Sequence, residues 1–246
     1  MNCRQVITHI VREGDSFYTV ANYYQVPMEA LMEQNPGMDP YNLQVGTELT
    51  VCLDSRPSEN GMMENMDWGM VMDLSNDMRK AWEQHVNWTR MLMLSITGRM
   101  QDQAAVTSRL MKNPEDIASV YREYVPRETA DQIAALLTEH LQIGSQLMTA
   151  MRDGNRTEAE RLNRQWYANA DQIAAALAAA NPQYNATDLK NMMYRHLELL
   201  TRQLVNRLAG NYQADIQAAD EGEEHILKMA DYLTSGLVQQ HPQRFQ

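Results

Sequence analysis

Four short segments with strand or helical spacing of apolar side chains follow one another within the first fifty or so residues. "VITHIV" (6–11) alternates apolar and polar positions and is rich in β-branched residues, which predicts a half-buried strand. "DSFYTVANYYQ" sets Phe17, Val20, Ala21 and Tyr24 along one helical face behind a cap at Asp15 or Ser16. "PMEALMEQN" predicts a second short helix, with Pro27 at its start and Leu31 on its apolar side. "GTELTVCL" (46–53) supplies a second strand. Strand, helix, helix, strand makes a small α+β unit.

Periodicity then stops. "LDSRPSENGMMENMDWGM" (53–70) mixes proline, glycine, serine and acidic residues without helical or strand spacing, and reads as a linker. Beyond it the period is helical almost throughout. Long helices are predicted at 75–97, 127–152, 156–180, 186–208 and 212–238, with shorter turns over 101–123. Asn113, Asn155 and Asn185 each open a stretch with N-cap logic, and Gly98 and Gly154 suit left-handed helix ends. Helices of about 25 residues approach 40 Å, the scale of a bundle. The expected organisation is a module over 1–53, a linker over 54–73 and an all-α bundle of four to five long helices over 74–246. "ADQIAA" occurs at 130–135 and again at 170–175, on consecutive helices.

Charge narrows the partners. With 32 acidic and 21 basic side chains the formal charge is −11, so no concentrated basic surface exists to bind nucleic acid. No apolar run reaches the roughly 18–20 residues of a membrane span. The opening "MNCRQVITHIVREGDS" lacks the apolar core and cleavage site of a signal peptide, which predicts synthesis and folding in a cytoplasm. Nineteen methionines against two phenylalanines fit helix interfaces filled by an unbranched, adaptable side chain.

The first unit resembles a LysM module. Its landmarks are Gly14-Asp15-Ser16 after the first strand, Val20-Ala21 on the first helix, Val26 and Leu31 around the second, then Asn35-Pro36, Leu43, Gly46 and Leu49. The resemblance implies binding of N-acetylglucosamine polymers, peptidoglycan or chitin, without cleavage. It places the sugar between Gly14, Asp15, Ser16 and Phe17 on one side and Asn35, Pro36, Gly37 and Met38 on the other. N-acetyl groups want hydrogen bonds and an apolar floor for the methyl, and need no ion. Gly14 and Asp15 also serve to make a turn and cap a helix. The fold implied by the resemblance pairs the strands that carry Cys3 and Cys52. A bridge between them is geometrically accessible, while a reducing compartment opposes it.

Four of the six histidines fall one per long helix: His85, His140, His196 and His225. Periodicity puts the first three on apolar faces and His225 at the edge of one. Inward histidines on facing helices suit a divalent transition metal, which makes a metal-binding four-helix bundle one alternative reading. The Glu-x-x-His of di-iron bundles and the His-Glu-x-x-His of zinc peptidases are both absent. Buried, paired polar groups that fix helix register explain the same placement. Trp88, Arg90, Trp166, Asn169 and Asp171 are candidates for a pocket with an aromatic wall, or for structural hydrogen bonding.

The bundle sequence, through "HVNWTR", "LLTEHLQIG", "WYANADQIA", "MMYRHLELL" and "HILKMADYLTSGL", resembles a Firmicute helical-bundle family of unsettled function. No Gly-rich phosphate loop follows a strand, and no Ser, Cys and His assemble into a nucleophile set. The leading expectation is a non-catalytic peptidoglycan-binding protein, associated with a mother cell, spore or wall. A structural spore-coat protein whose bundle forms homo-oligomers or meets coat partners is the remaining alternative.

Overall fold

The computed structural model describes residues 3, 5–12, 15–24, 26–38, 43–53 and 66–246, apart from the side chains of Tyr18, Asn22, Glu29 and Trp68. The chain divides into two compact units, residues 1–68 with 242–246, and residues 69–241.

In the first unit β1 (Val6–Ile10) pairs antiparallel with β2 (Glu48–Cys52), Thr8 standing opposite Thr50. Helices α1 (Phe17–Tyr24) and α2 (Met28–Gln34) follow β1. A two-stranded ribbon is marginal alone and needs cover. Here Leu49 and Val51 form one core with Phe17, Val20, Ala21 and Leu31 of the helices. Alternation along β2 produces this, since every second side chain faces the same way. Asn35 clips α2 to the sheet: its amide donates to the Leu31 and Thr50 carbonyls at 2.7 and 2.8 Å, and its Oδ1 accepts the Thr50 N–H at 2.8 Å. A disulfide joins Cys3 to Cys52 across a sequence separation of 49. The pairing brings this about: just beyond β2 the Leu53 N–H donates to the Gln5 carbonyl at 2.9 Å.

The second unit is built on five long helices: α3 (Trp68–Thr97), α6 (Arg127–Arg152), α7 (Arg156–Ala180), α8 (Ala186–Leu208) and α9 (Tyr212–Gln240). Two short ones, α4 (Gln103–Leu110) and α5 (Asn113–Tyr121), occupy the stretch expected to hold turns. Residues 68–73, expected in the linker, are helical, because buried Val71 and Leu74 extend the stripe of Met78, Trp82 and His85. Residues 54–65 of that linker lie outside the described residues.

Helices α6 to α9 run up and down in turn. Trp166 meets His140, Lys190 meets Asp171, and His225 meets Met192. Helix α3 closes the bundle against α9 through two ion pairs. Arg79 donates to Asp231 at 2.7 and 2.9 Å, and Arg90 makes a two-pronged pair with the fully buried Asp215. Rising numbers on α3 meet falling numbers on α9, so the two are antiparallel.

Helix ends follow the expected caps in part. Asn155 accepts the Glu158 N–H, and Asn185 accepts those of Thr187 and Asp188. Gly154 takes the left-handed conformation at φ +71°. Gly98 does not; Arg99 does, at φ +49°. Asn113 is not the cap of α5 but its first residue, and its side chain turns into the core.

Candidate functional site

In the first unit the side chains carried over as glycan contacts divide into two groups. Phe17 is 2% exposed and belongs to the core of the module, so its ring supplies packing rather than a sugar floor. Asn35 is buried, and its amide is committed to Leu31 and Thr50. Pro36 and Gly37 are exposed, and Met38 is half-buried. Gly37 holds φ +86°, a conformation that favours glycine, and this turns the chain sharply after α2. Gly14 lies outside the described residues.

Asp15 and Ser16 have separate local duties. The Thr19 N–H donates to Ser16 Oγ at 3.1 Å while the Ser16 N–H donates to Thr19 Oγ1 at 2.8 Å, a reciprocal pairing that starts α1. Asp15 Oδ2 accepts the Arg12 N–H at 2.7 Å and faces His9 Nε2 at 2.8 Å. A carboxylate only accepts, so His9 donates from Nε2, and its Nδ1 is free to accept the Tyr24 hydroxyl at 3.1 Å. His9 thereby ties β1, the following turn and the end of α1 together. Sequence reading missed it, although alternation along "VITHIV" places it on the same face as Ile7.

In the bundle His85, His140 and His196 are each 2% exposed. They come from three helices, with ring centroids 5.5 Å apart for His85 and His196 and 6.2 Å apart for His140 and His196. Trp82 lies 5.6 Å from His85 and Trp166 lies 5.2 Å from His140, so five rings adjoin in sequence through the core. Gly144 permits this: a Cβ there would meet the Trp166 indole at 3.3 Å. Burial pulls His85 down to about 4, partly offset by its bond to Asn113. Burial, then the neighbouring His85, takes His140 down to about 3. His196 is held well below the usual histidine value by burial and then by the other imidazoles. All three are neutral at pH 7. His225 stands apart, donating from Nε2 to the Met192 carbonyl at 2.8 Å.

Among the described residues no group of three or more His, Cys, Asp or Glu side chains is placed to hold a metal ion. Of the five candidates for a bundle pocket, two meet at His140 and three have partners elsewhere. Trp166 donates to the His140 carbonyl at 3.1 Å, and Asn169 bonds the His140 ring. Arg90 pairs with Asp215, Asp171 with Lys190 at 3.0 Å, and Trp88 lies under the Arg109 guanidinium. Among the described residues no helix is long and apolar enough to cross a membrane.

Residues 9–51 match the family model of the LysM domain. No curated protein and no solved structure matches the chain.

Proposed function

We propose that this chain, whose residues 9–51 form a LysM domain, is a non-catalytic protein that binds polymers containing N-acetylglucosamine. The family match is the observation that carries the reading. Local geometry supports it. The loop after α2 offers exposed Pro36 and Gly37 beside half-buried Met38, and Asp15 and Ser16 are partly accessible at the start of α1. Such a surface suits a polymer gripped by backbone hydrogen bonds and apolar contact rather than by charge. Phe17 and Asn35 support the module from inside, so they shape the loops without meeting the sugar. In the bundle, His85, His140 and His196 are buried in the core.

Co-sedimentation of the purified full chain with peptidoglycan sacculi and with chitin tests this, with soluble N-acetylglucosamine oligomers as competitors. Retention that the oligomers abolish is expected. A chain that stays in the supernatant with both polymers overturns the reading.

A further inference from the structure

Four polar atoms in the middle of the helical unit have no protein partner, Trp82 Nε1, Thr89 Oγ1, His140 Nε2 and His196 Nε2, and of these side chains Thr89 and His140 line one cavity. Each belongs to a side chain no more than 4% exposed. A buried polar group left unmatched costs about 1–3 kcal/mol, so such a concentration calls for an explanation.

Two asparagines settle where the histidine protons are. Asn113 Nδ2 donates to the Ala81 carbonyl at 2.8 Å, and a carbonyl has nothing to donate in return. That orients the amide, so the atom 2.8 Å from His85 Nδ1 is an oxygen, and Nδ1 must carry the hydrogen. Asn169 repeats the arrangement for His140. Its Nδ2 donates to the Leu136 carbonyl at 3.1 Å, and its Oδ1 accepts from His140 Nδ1 at 2.8 Å. Both rings are neutral, so Nε2 of each is a bare lone pair turned away from its asparagine. Of the two, His140 Nε2 is fully buried without a partner and requires a donor.

The space for one is present. His85, Thr89, His140 and Ser145, with Met148 and Trp166, line a cavity of about 10 Å³. That is room for one water and little else. No carboxylate lines it to balance a cation, and a bare cation moved into such surroundings loses its hydration.

We propose that this cavity is a binding site for one small, neutral hydrogen-bond donor, which is water in the resting protein. The water donates to Nε2 of His85 and His140 and accepts the Thr89 hydroxyl. Three hydrogen bonds are usual for a buried water. It ties α3 to α6 where the two helices share no direct polar contact between these side chains.

Imidazole nitrogen–proton correlation spectra of the ¹⁵N-labelled full chain at pH 7, with water-to-protein cross-relaxation, test the site. His85 and His140 are expected as Nδ1–H tautomers, with a long-lived water signal at Thr89 and His140. Thr89→Val is expected to abolish that signal with the tautomers unchanged, and Thr89→Ser to retain it. A proton on Nε2 of either ring, or no long-lived water in the native chain, overturns the proposal. So does one equivalent of zinc retained through dialysis and lost in His140→Gln.

Discussion

His140 donates its Nδ1–H to Oδ1 of Asn169 at 2.8 Å, joining α6 to α7 through two buried side chains. Asn169 is held in turn by the Leu136 carbonyl, so the acceptor cannot rotate away to suit another partner. Replacing it with leucine strands a donor in the core. Asn169→Leu is expected to lower stability by about 1–3 kcal/mol, read as an earlier urea midpoint with an unchanged slope. An unchanged midpoint would show that the imidazole finds another acceptor.

The depressed histidines give the bundle a sign in pH. Unfolded, each imidazole binds a proton near the ordinary 6.5, while His85 and His140 resist it until about 4 and about 3. Below pH 6.5 the unfolded chain therefore holds more protons, and stability falls as pH falls. The loss from His85 is complete near pH 4, and that from His140 near pH 3. Each pH unit costs about 1.4 kcal/mol per ring, so on the order of 3–5 kcal/mol is at stake for each. Urea unfolding followed by helical circular dichroism between pH 7 and 4 measures this, and His140→Phe should flatten the dependence. A native chain equally stable at both ends contradicts it.

In the first unit, the Cys3–Cys52 bridge closes a sequence separation of 49, for which chain entropy predicts about 4 kcal/mol. Reduction is expected to lower the melting temperature of the module and speed its proteolysis while leaving the helical signal intact. Mass spectrometry after alkylation, with and without reductant, checks that the bond is present in the purified chain.

Asn35 and Gly37 separate support from contact. Asn35→Ala removes three hydrogen bonds inside the module and should destabilise it by about 1–3 kcal/mol, weakening glycan retention by unfolding. Gly37→Val places a β-branched side chain at φ +86° and costs about 1–3 kcal/mol by strain in an exposed loop. If the loop contacts sugar, Gly37→Val lowers retention even where far-ultraviolet dichroism shows the module folded. Retention assays paired with thermal melts distinguish the two.

Helix periodicity was legible because each bundle helix must bury one stripe, and the stripe repeats along the sequence. Three inward histidines came from that same arithmetic. What a side chain bonds across the core was not legible. "NPED" looks the same whether Asn113 caps its own helix or holds His85, since the choice depends on a helix 28 positions earlier. The positions carried over for glycan contact did not separate exposed from buried side chains, since Phe17 and Asn35 lie inside the module. A reducing compartment is an argument about surroundings, whereas the strand pairing decides whether Cys3 and Cys52 meet.

The two arginine–aspartate pairs that lock α3 to α9 set an order of events during synthesis. Arg79 and Arg90 emerge from the ribosome well before Asp231 and Asp215. Until then those two guanidinium groups lack their anions. The nascent bundle therefore stays open along one seam until its last long helix clears the exit tunnel, whereas the amino-terminal module has all its strands available far earlier.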